Sequence, residues 1–287
     1  MIAKSRQLLR SLLGRTTVDP LAVKKAEIGS LLSSIEERFP SLSIVYLDIG
    51  ASGGSADLWR WMISEKRITG VLIDMADWGN GPLTPQPNII KIKAAVAEFD
   101  EDLTVSITRH PACSSCLPPN HDLLNEYPVK KWFEVVRTTT VHTESYEHLV
   151  LRHHLPQPQF IKMDVQGFEG QVLRGMGAHL KNALCVEFEC QMKPIYAGQD
   201  TFFDLYQMMN TLGFRLRDLK PQGPFEGEAL EFNCFWSRTP KSAIEESMIK
   251  LWEKVTGIWP GIYFRQIDAH QQLKYRFNTP ETDGSMT

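Results

Sequence analysis

Ile44-Val45-Tyr46-Leu47-Asp48-Ile49, running straight into Gly50-Ala51-Ser52-Gly53-Gly54, decides how the rest of the chain is read. The first six residues form a short β-rich run, and the glycines stop it. From about Ala56 to Glu65 the pattern turns helical, which makes a strand, tight loop and helix unit. Val71-Leu72-Ile73-Asp74 reads as a second strand and Ile89 to Val96 as a third, with a Pro/Gly/Asn-rich loop between them. Upstream, Asp19-Pro20 is a helix start, and Ile28, Leu31, Leu32, Ile35 and Phe39 recur at helical spacing.

The alternation resumes in the second half. Phe160 to Val165 is a strand, Gly167 turns the chain, and Val172, Leu173, Met176 and Leu180 mark one face of a helix. Leu184 to Cys190 is a strand, Phe202 to Leu212 a helix, and Phe214–Leu219 and Leu230–Trp236 two final strands. Leu103–Thr108 and Val135–Val141 add strands in the middle, around a loop holding Pro111, Pro118, Pro119 and Pro128. A last helical stretch runs from Ala243 to Val255. Strands alternating with helices predict an α/β fold built on one mostly parallel, Rossmann-like sheet with helices on both faces.

Composition narrows the function classes. The 287 residues are 43% hydrophobic and 23% charged, as in ordinary globular proteins. A formal net charge of -3 provides no large positive field, so no nucleic-acid partner is expected. No apolar run is long enough to span a bilayer. Lys4, Arg6, Arg10 and Arg15 alternate with leucines over residues 1–15, the one stretch that could touch a membrane surface. Five scattered cysteines indicate no disulfide framework and fit a reducing cytoplasm.

In an open parallel sheet, ligands bind beyond the carboxyl ends of the strands, where glycines let them approach the backbone. A dinucleotide fingerprint would place a second glycine where Ser52 stands, which weakens an NAD-linked oxidoreductase reading. Asp74, ending the next strand, is of the type that accepts two hydrogen bonds from a ribose diol. The pair of features points to a nucleoside-bearing cofactor.

Asp48 to Gly54, Ile161-Lys162-Met163-Asp164-Val165-Gln166-Gly167-Phe168-Glu169 and Val172-Leu173-Arg174-Gly175 together resemble the FkbM-type methyltransferase family. Val186-Glu187-Phe188-Glu189 is similar to the acidic strand that follows there. The resemblance spans residues 43–237. It implies a class I methyltransferase sheet with a reversed last strand, S-adenosylmethionine as donor, and O-methylation of a hydroxyl on a sugar, glycolipid or secondary metabolite. It divides the chain into a helical extension (1–42), a methyltransferase domain (43–238) and a helical and irregular appendage (239–287). Carried over, Gly50, Ala51, Ser52 and Gly54 line the methionine end of the cofactor. Asp48 holds the loop, Asp74 binds the ribose, and Met75 lies beside it. Two positions depart from the family: Ser52 replaces Asn, and Gln166 replaces Glu.

An alcohol acceptor must lose its proton as the new bond forms. Asp164, at a strand end, is the first candidate for base or for a divalent-metal ligand, although no metal is called for. Glu187 and Glu189 share one strand face and stand behind it, with pairing to Lys162 or Arg174 as the structural alternative. His142 is a further candidate base. His110, Cys113, Cys116 and His121 are zinc-type residues without the paired spacing of a zinc site. Ser114 and Ser115, in the same loop, are expected to wall the acceptor or cofactor pocket. Trp59 and Trp61, two positions apart on a helix, cannot both face the core, and Trp78 could edge an adenine. A non-catalytic cofactor-binding scaffold and a nitrogen or protein methyltransferase are the alternatives.

Overall fold

A computed structural model describes residues 19–52, 54–75, 88–223 and 225–258. The basic segment 1–15, Gly53, Trp78 and the tail from residue 259 lie outside the described residues. In chain order the strands are β1 (Val45–Ile49), β2 (Thr69–Asp74), β3 (Ile89–Lys93), β4 (Ala95–Val96), β5 (Asp102–Thr108), β6 (Val135–Glu144), β7 (Phe160–Met163), β8 (Cys185–Gln191), β9 (Arg215–Gln222) and β10 (Glu231–Ser237). The helices are α1 (Pro20–Arg38), α2 (Asp57–Ser64), α3 (His121–Leu124), α4 (Tyr146–His153), α5 (Glu169–Gly175), α6 (Gly177–Asn182), α7 (Phe202–Thr211) and α8 (Ala243–Thr256). Asp19 caps α1, its carboxylate accepting from the Leu21 amide, with Pro20 in the first turn.

The main sheet runs β3-β2-β1-β7-β8-β10-β9. Pairings from β3 through β8 are parallel, and β10 is antiparallel to both β8 and β9. The last strand of the chain is therefore the reversed one, as expected. Every residue of β1 is buried, because helices cover both faces and no side of the strand meets water.

Alternation sorts the sheet into two cores. Val45, Leu47, Ile49, Val71, Ile73, Ile161, Met163, Val186, Phe188 and Trp236 pack with residues of α4 through α7. Tyr46, Phe160, Cys185 and Phe235 point to the opposite face and pack with residues of α1, α2 and α8. The helices at 20–38 and 243–256 thus share one core with the sheet. Trp59 stacks on Tyr46 at 4.3 Å, while Trp61 is half-buried and carries Lys25 over its ring, as the two-position offset requires.

Three features differ from the single-sheet expectation. Ile89–Val96 is not one strand: it leaves the main sheet after Lys93, and Ala95–Val96 pairs with Thr143–Glu144 in a second sheet, ordered β4-β6-β5. The helix expected to run through Leu180 breaks at Met176, where α5 gives way to α6. A β-carbon on Gly175 would lie 1.8 Å from the Ala97 carbonyl oxygen, so this helix touches the backbone immediately after β4. Finally, a disulfide joins Cys190 on β8 to Cys234 on β10, which the scattered cysteine spacing did not foreshadow. A third cluster, including Cys113, Tyr127, Phe133, Tyr196 and Phe225, assembles three loop segments into a cap.

Candidate active site

The face toward α1 and α8 changes character along each strand. β1 places Tyr46 and then Asp48 on it; β7 places Phe160, then Lys162, and Asp164 just beyond; β8 places Cys185, then Glu187, Glu189 and Gln191. β10 runs the other way, so Phe235, Asn233 and Glu231 follow the same gradient. Register aligns Asp48, Lys162, Glu187 and Phe235 in a row across four strands. The amino-terminal half of this face is apolar core, and its carboxyl-terminal half is a cluster of acids.

Asp48 is 1% exposed. The Tyr46 hydroxyl donates to its Oδ2 at 3.1 Å, and Lys162 Nζ lies 3.4 Å from Oδ1 and 3.6 Å from Asp164 Oδ2. Burial raises the Asp48 carboxyl, with Lys162 and Tyr46 opposing. Burial alone would lower the Lys162 ammonium, but Asp48, Asp164 and Glu187 outweigh it and leave it above its ordinary value. Glu187 is pushed up to about 7, chiefly by burial against the pull of Lys162 and Lys220. Glu169 is pushed up to about 8 by burial, although the Val165 amide donates to it at 3.1 Å.

Deeper in, Gln191 Nε2 donates to Glu189 Oε1 at 2.9 Å and approaches Glu231 Oε2 at 3.4 Å, and Gln199 donates to Gln191. Burial raises both Glu189 and Glu231; the charge of Glu231 adds to the rise of Glu189 and that of Asp164 to the rise of Glu231, while hydrogen bonds to Gln191 and Glu189 hold Glu231 back. Gln166 Nε2 donates to Asp164 Oδ1 at 2.9 Å and reaches Glu189 Oε1 at 3.4 Å. Tyr196 Oη donates to Gln166 Oε1 at 3.1 Å and Ser115 Oγ to the Gln166 carbonyl at 2.7 Å. Among these acids, Asp164 keeps 42% of its side chain exposed.

The glycine turn sits at the carboxyl end of β1. Gly50 has φ +77°, and a β-carbon there would lie 2.0 Å from the Asp164 carbonyl oxygen, so the ends of β1 and β7 meet only because this residue is glycine. The Gly50 and Ala51 amides donate to the Ile73 carbonyl at 2.9 and 3.2 Å, and the Gly54 amide closes the turn on Ala51 at 2.8 Å. Among the described residues, a β-carbon on Gly54 would meet nothing closer than Arg60 at 3.7 Å. Ser52 is exposed, Met75 half-buried, and Asp74 buried at the end of β2. Ser55, which precedes α2, has a buried hydroxyl with no hydrogen-bond partner among the described residues.

Asp48, Asp164, Glu187 and Glu189 are therefore brought together. His142 is not among them: it lies on β6 of the second sheet, its side chain 61% exposed and hydrogen-bonded through Nδ1 with Asp102 at 2.8 Å. Arg174 pairs with Glu98 and Asp200 rather than with the β8 acids. His110 Nδ1 and Cys113 Sγ are 4.0 Å apart, and among the described residues no three His, Cys, Asp or Glu side chains are grouped to hold a metal ion. Glu231, Gln191 and Tyr196 went unnoticed in the sequence. Of these, Glu231 left a signal as a charged residue at the mouth of an apolar strand, and Gln191 as the next same-face position after Glu187 and Glu189.

The family profile described as the Methyltransferase FkbM domain matches residues 81–216. That span is narrower than the resemblance at both ends. It contains the Asp164–Glu169 motif and β8, and leaves the glycine turn, Asp74 and β10 outside. Among curated proteins none matches the chain. A magnesium protoporphyrin IX methyltransferase from Synechocystis PCC 6803, solved with S-adenosylmethionine, is similar at 10% identity and TM-score 0.36, covering 82% of this chain and 91% of that one. A 1,6-didemethyltoxoflavin-N1-methyltransferase from Burkholderia thailandensis, solved with S-adenosylhomocysteine, is similar at 11% identity and TM-score 0.34, covering 83% and 90%.

Proposed function

Taking as premise that residues 81–216 carry an FkbM methyltransferase domain, we propose that this chain is an S-adenosylmethionine-dependent methyltransferase acting on a hydroxyl of a sugar, glycolipid or secondary metabolite. One observation carries the reading. The turn at Gly50, the acid Asp74 and the acid Asp164 stand at the carboxyl ends of three adjacent parallel strands, and Asp164 alone is well exposed.

The residues fit the cofactor. The Ser55 hydroxyl, unpartnered among the described residues, offers polar contact at the turn, where Gly50, Ala51 and Ser52 would line the methionine end. Asp74 would take the ribose hydroxyls, and Met75 would lie against the base. When bound, the cofactor supplies a methyl group on a sulfonium, so catalysis is mostly alignment. Asp164 accepts the proton that the acceptor hydroxyl loses as its oxygen bonds the methyl carbon. Lys162 and Asp48 hold the floor beneath it.

The acids favour a second reading, an amine acceptor, because Asp164 and Glu187 would attract a cation. Screening alcohols against amines with a labelled methyl donor separates the two. Among the described residues no helix is long and apolar enough to cross a membrane. A cytoplasmic setting is our proposal from the scattered cysteines, and the Cys190–Cys234 disulfide is the observation that stands against it.

Calorimetric titration of S-adenosylmethionine and S-adenosylhomocysteine into wild type and Asp74→Ala tests the donor site. Binding to wild type that weakens by about 1–3 kcal/mol in the variant is expected. Absence of binding to folded wild type would overturn the methyltransferase reading and favour a scaffold role.

A further inference from the structure

Gln166 sits at φ +54°, directly before Gly167 at φ +89°. Side chains rarely adopt that left-handed backbone, and here it turns the chain after β7 so that the amide points back among the acids. Its contacts leave one choice of amide orientation. Nε2 faces two carboxyl groups, Asp164 at 2.9 Å and Glu189 at 3.4 Å, while Oε1 lies 3.1 Å from the Tyr196 hydroxyl, whose one proton it shares with the Cys113 carbonyl at 3.0 Å. Rotating the amide by half a turn would set its oxygen against two acceptors. The backbone carbonyl is fixed as well, by Ser115. One side chain thus ties the end of β7 to β8 and to two segments of the cap.

We propose that Gln166 is a positioning residue that takes the place of a cation between Asp164 and Glu189, holding Asp164 where an acceptor can meet it. The proposal rests on the reading of Asp164 as the base. The groups facing the amide are Asp164 and Glu169 from its own turn, Lys162 on β7, Glu189 on β8, Glu231 on β10, and Tyr196 and Cys113 from the cap. A carboxylate at position 166 would replace two donated protons by a third negative charge. It would be tolerated only when protonated, when it can donate once.

The test uses melting temperatures of the full chain at about pH 5.5 and pH 8 for wild type, Gln166→Glu, Gln166→Met and the exchange variant Gln166→Glu with Glu189→Gln. The Gln166→Glu deficit relative to wild type should be at least roughly twofold larger at the higher pH, on the order of 5 °C there for a loss of ~2 kcal/mol in a chain of this size. The Gln166→Met deficit should be the same at both. The exchange variant restores an amide–carboxylate pair and should recover most of the loss. A Gln166→Glu deficit that ignores pH and matches Gln166→Met, or an exchange variant no better than the single one, would overturn the proposal. If Gln166→Glu does not fold at either pH, folding of the exchange variant decides: recovery supports the clamp and its absence removes it. Calorimetry with S-adenosylhomocysteine on the same proteins keeps the two readings apart. Failed binding in wild type counts against the cofactor, whereas a missing pH signature with binding intact counts against Gln166 alone.

Discussion

Glu169 is a carboxylic acid 1% exposed to solvent, and its proton is a term in the stability of the whole protein. It is pushed from 4.5 up to about 8 by burial, so between those values the folded state holds a proton that the unfolded state has released. Stability therefore falls as pH rises through that window. Glu187, pushed up to about 7, acts in the same direction. Urea midpoints measured from about pH 5 to pH 8 should decline, and Glu169→Gln should flatten the decline while keeping an acceptor for the Val165 amide. Gly50→Ala is expected to cost more than about 2 kcal/mol, since its new carbon would meet the Asp164 carbonyl at 2.0 Å in a backbone region alien to alanine; chemical denaturation reads this directly. His142→Ala should change stability by less than about 0.5 kcal/mol, because its pairing with Asp102 is solvated. The residues read from sequence share a cause: Asp48, Asp164, Glu187 and Glu189 lie at or just past the mouths of apolar strands, where period-two alternation announces them. Gln191 continues the Glu187–Glu189 alternation on β8, whereas Tyr196 and Glu231 reach the same cluster through a cap and a reversed strand, a proximity that local pattern does not record.

At the level of elements, the sequence was most legible where one segment had one partner layer. α1, β1, β2, α7 and α8 fall within a residue or two of their expected bounds, since a cap or a glycine marks their ends. The failures occur where tertiary contact cuts a continuous pattern. Ile89–Val96 keeps its β character throughout, yet Ala94 is the point at which the chain changes sheets; the propensities of both pieces are alike and only their partners differ. The α5–α6 break has a similar origin, for Val172, Leu173, Met176 and Leu180 hold helical spacing on both sides of it. The contact that forces the approach, Gly175 against the Ala97 carbonyl, predicts that Gly175→Ala shifts β4 or α5 and costs about 2 kcal/mol or more. A thermal melt of the variant beside wild type measures it.

At the scale of the whole molecule, the two terminal helices decide what counts as a minimal folding unit. Ile28, Leu32 and Ile35 of α1 share a core with Met248, Leu251 and Trp252 of α8 over Tyr46, Phe160 and Phe235. A chain trimmed to residues 43–238 would expose that apolar face, so it should aggregate or lose cooperative unfolding. A soluble trimmed chain with the wild-type transition would show that the central domain stands by itself. The same packing bears on synthesis. α1 precedes every other described helix and strand, yet it packs against the last of them, and among the described strands β9 pairs only with β10, which is made after it. On a ribosome delivering residues in order, α1 must wait for α8 and β9 for β10. A stop before α8 would therefore release a chain whose described sheet strands are all present but whose α1-facing core is still open to water.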